Sequence, residues 1–356
     1  MLAGTEFNIN SPKQLGEVLF EKMHLPTGKK TKSGYSTSAE VLESLRPFSP
    51  VIDYILEYRA DGKLKSTFAD GLIEAADENG RVHTRFKQAV TATGRLSSAE
   101  PNLQNIPIKT ELGREFRKFF VPTGEGRVLI DADYSQIELR LLCAVSGDEN
   151  MREAFLSGFD IHSSTAMKMF GVSKDEVTIE MRKKAKAVNF GIMYGMGEFS
   201  LAADLHTGRR QAAEYIESYL RSYPKIKQYL SDVVEEAKRD GYVTTLFGRR
   251  RYIPELKSHR KNEIAFGERV AMNSPIQGAA ADIIKMAMVA VDKRLKDEKL
   301  DARLILQVHD ELIVEAAENC ADRAEQILKY EMEHAASLSV PLTVEISQGQ
   351  SWYEAH

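Results

Sequence analysis

Apolar residues in the first sixty positions recur at helical spacing and predict three short helices. The segments 11–23, 38–45 and 51–58 each carry an apolar face, and Pro12 lies in the first turn of the first segment. The loop 27–34 contains three lysines. A flexible, solvated linker is the simpler interpretation of this loop, and contact with a phosphate backbone is the alternative.

After about residue 80 the pattern changes to strands and turns, and later to helices. The run 127–133 is apolar and ends in carboxylates, which is typical of a buried strand whose end opens onto a site. Residues 147–261 follow a mostly helical pattern, and a long helix is predicted over 263–295. The segment 304–315 predicts two strands joined by a tight polar turn.

Two aspartates lie at the ends of these predicted strands. Asp133 ends the first strand, and Asp310, followed by Glu311, lies near the hairpin turn 177 residues later. Carboxylate oxygens are the ligands that Mg²⁺ prefers, and two such ions can activate an attacking oxygen and stabilise a leaving one. Taken singly, each aspartate is more simply explained as a cap or turn residue.

The residues that follow Asp133 predict the start of a helix. Ser135 and Glu138 have the spacing of a capping box, in which the Ser135 hydroxyl caps a helix whose third residue is Glu138. The match predicts a strand, a turn and a helix in that order, which leaves Asp133 at the mouth of the sheet.

A helix predicted around 182–194 carries two cations and two aromatic rings on one face. Arg182, Lys186, Phe190 and Tyr194 follow one another at a spacing of four. A triphosphate at the cationic end and a base or sugar at the aromatic end would use this face fully. A solvated basic face with two core aromatics is the alternative. The Gly-Met-Gly that follows predicts that the helix ends or bends there.

Arg, Asn and Gln recur in two further segments, as in proteins that contact nucleic-acid edges and sugars. Ordinary loop and helix polarity explains each set separately, whereas the presence of both sets in one chain favours nucleic-acid contact. The first set lies in a loop-like stretch and the second at a spacing of four on the long helix: Arg95, Asn102 and Gln104, then Arg269, Asn273 and Gln277.

Composition and charge exclude several classes of protein for this chain. The 356 residues carry 48 basic and 52 acidic side chains, and the net charge of −4 excludes a polycation. A hydrophobic content of 43% with 28% charged residues excludes overall disorder. The two cysteines form no CxxC pair, so neither a disulfide framework nor a cysteine zinc site is plausible. Because the sequence shows neither a leader pattern nor a long apolar run, we expect a cytoplasmic protein without membrane contact.

Taken together, these segments resemble the family A DNA polymerases. Residues 133–140 are similar to the family's motif A, the pattern over 182–195 to motif B, and 308–311 to motif C. The segment 91–107 also resembles the family's primer–template-binding segment, and the resemblance runs from about residue 6 to 356.

The resemblance implies an α+β, right-hand polymerase fold with an antiparallel-sheet palm, helical fingers and a partial helical thumb. Its parts would be a partial thumb over 1–60, a palm over 61–146 and 262–356, and fingers over 147–261. No room remains in this chain for a proofreading domain, so we expect no exonuclease activity in it. We also expect a monomer.

The resemblance further implies a catalytic and a nucleotide-binding group of residues. Asp133 and Asp310 would hold two Mg²⁺ ions, with the Tyr134 carbonyl as a further ligand and Glu311 in support. Glu138 would crowd the position of a 2′-hydroxyl. The remaining nucleotide-binding residues are the phosphate-side Arg182, Lys186 and His162, then Phe190, Tyr194 and Gln136.

The residues implied at the primer–template are more dispersed along the chain. They match minor-groove, template and primer-terminus contacts of the family: Arg95, Asn102, Gln104, Arg269, Asn273, Gln277 and His309.

The implied activity is template-directed addition of dNTPs to a primer 3′-hydroxyl, with primer–template DNA and dNTPs as partners. A related RNA polymerase is one alternative, against which Glu138 and Phe190 argue. A primer–template-binding fragment with little or no activity, because its thumb is incomplete, is the other.

Overall fold

The computed structural model describes residues 3–27, 30–31, 34–108 and 110–356. By the contacts within the chain it divides into two units, Met1–Arg85 and Phe86–His356. Residues 28, 29, 32 and 33 of the predicted lysine loop lie outside the described residues. The predicted bounds of thumb, palm and fingers stay a prediction.

Helices in the first unit begin where the sequence predicts them. The Ser11 hydroxyl accepts a hydrogen bond from the Gln14 backbone N–H, and the Ser38 hydroxyl caps the next helix in the same way. The third helix runs beyond residue 58, because Leu64 and Phe68 continue its buried face. The elements are α1 (Pro12–Gly16), a π-helical turn (Glu17–Lys22), β1 (Lys30–Thr31), β2 (Gly34–Tyr35), α2 (Ala39–Leu45), a 3₁₀ turn (Arg46–Phe48), α3 (Val51–Lys63), a second π-helical turn (Leu64–Asp70) and α4 (Gly71–Ala75).

The unit boundary falls at the first residue of β3 (Arg85–Lys87), and the second unit alternates between sheet and helix. Its elements are β4 (Ser97–Ala99), α5 (Glu111–Glu115), β5 (Arg127–Tyr134), α6 (Ile137–Ser146), α7 (Glu149–Leu156), α8 (Ile161–Phe170), α9 (Ile179–Met193), α10 (Glu198–Asp204), α11 (Arg209–Ser222), α12 (Pro224–Asp240), β6 (Tyr242–Thr244), β7 (Arg250–Tyr252), α13 (Lys261–Asp297), β8 (Ala302–Val308), β9 (Glu311–Ala317), α14 (Ala321–Glu333), β10 (Val344–Gly349) and α15 (Trp352–Ala355).

An antiparallel sheet of four strands, in the order β10-β5-β9-β8, forms the centre of the second unit. The predicted strand at 127–133 is its β5, and the predicted hairpin is β8 and β9, joined at His309 and Asp310. In the pairing of β5 with β9, Asp133 lies opposite Glu311. The register therefore places the start of motif A beside the tip of the hairpin.

Small residues let the long helix α13 pack closely in the core of the second unit. Ala279, Ile283 and Ala287 are fully buried, and α13 packs against α6 and α14. Pro275 lies inside the helix, which continues through it from Lys261 to Asp297. With the mostly helical stretch over 147–261 and the antiparallel sheet, these elements confirm the predicted α+β class.

The predicted capping box at the start of α6 is wrong. The Ser135 backbone N–H donates to the Thr343 carbonyl at 2.9 Å, so Ser135 continues the sheet pairing instead of capping the helix. The N-cap is Gln136, which adopts the left-handed conformation with φ of 53° and makes no side-chain cap bond. The order strand, turn and helix is as predicted, but the Glu138 carboxylate is left for other partners.

Candidate active site

The two strand-end carboxylates predicted as a metal pair lie next to each other. Asp133 lies one residue before the end of β5, opposite Glu311, and the next backbone N–H, that of Tyr134, donates to the Asp310 carbonyl at 3.2 Å. The Tyr134 side chain is buried and its hydroxyl donates to the Met332 carbonyl at 2.7 Å. The ring therefore anchors the end of β5 while the backbone joins it to the hairpin tip.

Burial and like charge raise the pKa of each carboxyl in this group. Burial raises the pKa of Asp133 to about 8, with repulsion from Asp310 and Glu311 adding to it. Burial raises the pKa of Asp310, and it raises that of Glu311 to about 8, with Asp131 contributing. The Asp133 Oδ1 atom is buried and has no hydrogen-bond partner among the described residues. Three acids thus lie close together, and no hydrogen-bond donor among the described residues offsets the burial of Asp133 Oδ1.

Behind these carboxylates lies a polar cluster that the sequence did not predict. Trp352 Nε1 donates to Glu311 Oε1 at 2.6 Å, and His356 Nδ1 lies 3.1 Å from Asp131 Oδ2. The buried Arg117 places Nη1 3.6 Å from Glu311 Oε1 and its guanidinium over the Trp352 ring at 4.1 Å. Ligand atoms of Asp131, Glu311 and His356 lie within 4.8 Å of one another, a spacing that could hold a metal ion. The Arg117 guanidinium already supplies positive charge beside these carboxylates.

Three residues predicted from distant segments meet at one buried carboxylate. Arg95 Nη2 donates to Glu138 Oε1 at 2.6 Å, and the Tyr194 hydroxyl donates to Glu138 Oε2 at 2.7 Å. Glu138 is only 7% exposed, and burial raises the pKa of the Tyr194 hydroxyl, which stays protonated. Both carboxylate oxygens are thereby fixed.

The loop that carries Arg95 is clamped by basic side chains. Lys285 Nζ donates to the Gly94 carbonyl, and the Arg249 guanidinium packs against Gly94 so closely that a Cβ there would lie 2.6 Å from it. Gly94 also has φ of 83°, which favours glycine. Arg249 is held in turn by an ion pair with Asp282.

The cationic end of the α9 face is engaged by a neighbouring acid. Asp160 binds the Arg182 guanidinium through two hydrogen bonds, from Nε at 2.9 Å and from Nη2 at 3.0 Å. Asp160 also caps α8 by accepting from the Ser163 backbone N–H at 2.8 Å. Although burial opposes it, these bonds lower the pKa of Asp160 to about 2. Lys186, one turn further along α9, is exposed.

His162 lies beside the aromatic part of the same helix. Its ring centroid is 5.8 Å from that of Phe190, and only 2% of the residue is exposed. Burial lowers the pKa of His162 to about 4, so the ring is neutral at neutral pH. The buried Asn189 places its amide nitrogen 3.0 Å from His162 Nδ1. Nothing in the sequence points to Asn189 beyond its place within motif B.

The predicted loop residues connect to the hairpin of motif C. Gln104 Nε2 donates to the carbonyl of Gln307 at 3.3 Å and to its Oε1 at 3.0 Å. Asn102 Oδ1 accepts from the Gln104 backbone N–H at 3.0 Å, and Gln307 donates to the His309 carbonyl. His309 has φ of 53° and lies at the turn of the hairpin.

The predicted residues of the long helix lie along the end of motif B. A Cβ added at Gly195 would lie 2.9 Å from Arg269 Cγ, and the Gln277 side chain lies close enough to the Tyr194 hydroxyl to oppose the rise of its pKa. Asn273 Oδ1 is buried with no hydrogen-bond partner among the described residues. As predicted, α9 ends at Met193, just before Gly195 with φ of 67°.

The sequence profile of DNA polymerase family A matches residues 1–354. The chain belongs to DNA polymerase family A. It is 55% identical over 355 residues to DNA polymerase I of Geobacillus stearothermophilus and 55% identical over 355 residues to that of Bacillus subtilis (strain 168). Each match covers 99% of this chain and 40% of the relative, so the chain spans about two fifths of the length of these relatives.

A solved family A structure has the same fold. The POL domain of Pol1 from M. smegmatis, in complex with DNA primer-template and dNTP, matches with a TM-score of 0.94 at 46% identity, over 99% of this chain and 63% of that one. The match confirms the predicted right-hand polymerase fold. In the described part of the chain, none of the helices is long and apolar enough to cross a membrane.

Proposed function

We propose that this chain is a template-directed DNA polymerase that adds dNTPs to a primer 3′-hydroxyl. The observation that carries the proposal is the convergence of Asp133, Asp310 and Glu311 at the end of the sheet in a family A chain. Its solved neighbour is a complex with DNA primer-template and dNTP, which supports the same partners here.

The acidic group fits a divalent cation. Asp133 Oδ1 is buried without a donor, and neighbouring carboxylates repel one another, so a cation would offset both costs. We assign two Mg²⁺ ions to Asp133, Asp310 and the Tyr134 carbonyl, with Glu311 in support. When bound, the ions supply activation of the 3′-hydroxyl and stabilisation of the leaving pyrophosphate.

The triphosphate is assigned to the cationic end of α9. The bonds from Arg182 to Asp160 use Nε and Nη2, which orients the guanidinium and directs the phosphate to its Nη1 side. Lys186 adds a second, exposed positive charge, and the neutral His162 adds an N–H donor. Phe190 is assigned to the sugar and base.

Glu138 is assigned to selection against a 2′-hydroxyl. Because Arg95 and Tyr194 hold both carboxylate oxygens, the side chain cannot swing away without breaking two charge-assisted hydrogen bonds. A ribose hydroxyl at that position would meet a fixed, buried group. Gln136, in the turn before α6, stays with the nucleotide-binding residues.

The primer–template is assigned to the polar residues of the segment 91–107, the β8–β9 hairpin and the long helix α13. The bonds from Gln104 to Gln307, and from Gln307 to the His309 carbonyl, pre-orient part of this group before DNA binds. They are Arg95, Asn102, Gln104, Arg269, Asn273, Gln277 and His309. The expectation that this chain carries no exonuclease stays a prediction, as do the monomeric state and the cytoplasmic location.

Mg²⁺-dependent extension of a labelled primer tests the function. We expect extension by the unaltered chain, and a reduction of about 10³-fold on Asp133→Ala or Asp310→Ala, since metal coordination contributes several kcal/mol to the barrier. Asp175→Ala, an exposed acid in a 3₁₀ turn before α9, is the matched control and should extend normally. Circular dichroism would show that each variant is folded.

Three outcomes would contradict the proposal. Extension that survives both substitutions would remove the metal assignment. Preferential use of rNTPs would indicate an RNA polymerase. Tight primer–template binding without extension by the unaltered chain would favour the binding fragment.

A further inference from the structure

A buried amide from α9 approaches the ring of His162 on α8. Asn189 is 0% exposed and its Nδ2 lies 3.0 Å from His162 Nδ1. An amide NH₂ group can donate but cannot accept, so Nδ1 must be the unprotonated nitrogen of the ring in this arrangement. The neutral ring then carries its single proton on Nε2.

Hydroxyl groups lie on the other side of the Asn189 amide, beside its Oδ1 atom. Thr165 Oγ1 lies 3.2 Å from Asn189 Oδ1 and 3.2 Å from the Tyr223 hydroxyl. Thr165 Oγ1 also lies 2.9 Å from the Ile161 carbonyl, which is the acceptor of the regular helical bond in this turn. The Thr165 hydroxyl has a single proton to share between the two oxygens, and its donation to Asn189 Oδ1 pairs a buried acceptor that would otherwise be costly to leave unpaired.

We propose that Asn189 is a positioning residue that fixes His162 in the tautomer with its proton on Nε2, so that the ring donates to the triphosphate. The part of the inference that concerns the triphosphate rests on the proposed function. The assignment of the tautomer does not. In a neutral ring that exchanges tautomers, Nε2 would be unprotonated for part of the time. An unprotonated nitrogen is an acceptor, and it repels an anion instead of binding it.

The surroundings of the ring agree with this role. Burial lowers the pKa of His162, and the nearby Arg182 and Lys186 lower it further, while Asp160 opposes them. The ring is therefore neutral at neutral pH and has one proton to place. The positive charge near it is suited to the same anion that the Nε2 donor would bind.

Nitrogen NMR of the histidine rings tests the tautomer directly. The chain is labelled with ¹⁵N-histidine, and the resonances of His162 are identified as those that disappear in His162→Gln. At neutral pH we expect Nδ1 to resonate as an unprotonated nitrogen and Nε2 as a protonated one. A protonated Nδ1 would mean that the Asn189 amide is reversed and would overturn the proposal whether or not the chain polymerises DNA.

A second measurement tests the consequence for anion binding. Titration with tripolyphosphate should shift the Nε2 resonance of His162 in the unaltered chain. In Asn189→Asp, a carboxylate can only accept, so Nδ1 should acquire a proton and the KM for dNTP should rise about tenfold with a smaller change in kcat. Asn319→Asp, the same change at an exposed position in the 3₁₀ turn Glu318–Cys320 after β9, should leave the tautomer and the KM unchanged.

The outcomes separate the inference from the proposed function. An unchanged KM in a folded, active Asn189→Asp variant whose Nδ1 is protonated and whose Nε2 is not would overturn the positioning role and leave the polymerase assignment intact. A chain that extends no primer but shows the expected tautomer and the tripolyphosphate shift would support the inference while the polymerase assignment fails.

Discussion

Two carboxylates a few residues apart at the start of motif A have opposite environments. Glu138 receives a donor on each oxygen, whereas Asp133 has a buried oxygen without a donor among the described residues and faces further acids. The first is fixed in place in the protein alone. Asp133 is costly to ionise unless a cation binds beside it. Its contribution to the free energy of unfolding must therefore depend on pH and on cations.

We expect the metal-free chain to lose thermal stability as the pH rises from about 6.5 to 9. Burial raises the folded-state pKa of Asp131 to about 6 and those of Asp133 and Glu311 to about 8. Because these values exceed those of the unfolded chain, the contribution is complete below about pH 4 and is lost as pH rises through the folded-state values. Tm measured in EDTA across this range checks the sign.

Added Mg²⁺ should reduce the destabilisation at high pH, because bound cations favour the ionised carboxylates. Asp133→Asn should flatten the metal-free profile, and Asp175→Asn should not. The lowered pKa values of Asp160 and His162 have the opposite effect, a stability that increases with pH, but this increase occurs below the range from pH 6.5 to 9. A metal-free Tm that rises from pH 6.5 to 9 would contradict the assignment.

At the scale of elements, the turn after α9 depends on a residue without a side chain. Gly195 has φ of 67°, and a Cβ there would collide with Met272 and lie 2.9 Å from Arg269 Cγ. The glycine thus allows the end of motif B to lie directly on α13. The packing of these two helices is sensitive to one methyl group.

Gly195→Ala should lower the free energy of unfolding by about 1–3 kcal/mol, since it combines a left-handed backbone with a steric clash. Gly197 is the matched control, because its φ is −86° and nothing lies within 4 Å of an added Cβ. Urea unfolding of both variants gives the comparison. Equal stabilities for the two variants would show that the close approach at Gly195 contributes nothing.

Elements with strong local patterns could be predicted from the sequence, and those set by distant contacts could not. The hairpin of β8 and β9 and the end of α9 follow from apolar runs and glycines. The start of α6 does not, because the bond from Ser135 to the Thr343 carbonyl overrides the local capping pattern. The helix α3 is also longer than its pattern predicts, since its burial continues into the following turn.

The same distinction holds for the site. Motif spacing sufficed to predict that Asp133 and Asp310 belong together. It could not show that Arg95 and Tyr194 would share the Glu138 carboxylate, because that meeting depends on the packing of segments 43 and 56 residues away. Asn189 could not be predicted either, because its role depends on a ring nitrogen of another helix.

At the scale of the whole molecule, a net charge of −4 conceals segregated charge. Residues 242–262 carry six basic side chains and one acidic one, whereas residues 309–334 carry eight acidic and two basic ones. The net charge repels DNA on average, so we expect the proposed binding of primer–template DNA to use the first segment. Affinity should therefore depend steeply on salt.

Arg250→Gln combined with Arg251→Gln should weaken primer–template binding and reduce the magnitude of the slope of log K against log salt. The expected reduction is about 0.9 for each phosphate that the variant no longer neutralises. Fluorescence anisotropy at several salt concentrations measures it. Arg210→Gln on α11, whose side chain is 95% exposed, is the control and should leave the slope unchanged. An unchanged slope in the double variant would place the DNA elsewhere.

The buried ring of Trp352 has a practical value for all of these experiments. It is the chain's one tryptophan, its indole N–H binds Glu311, and the Arg117 guanidinium covers its face. The fluorescence of an indole ring responds to nearby charge. When this residue is excited selectively, its emission therefore reports on the charge of the acids beside it. The molecule therefore contains an optical probe at the back of its candidate metal site, which requires no added label.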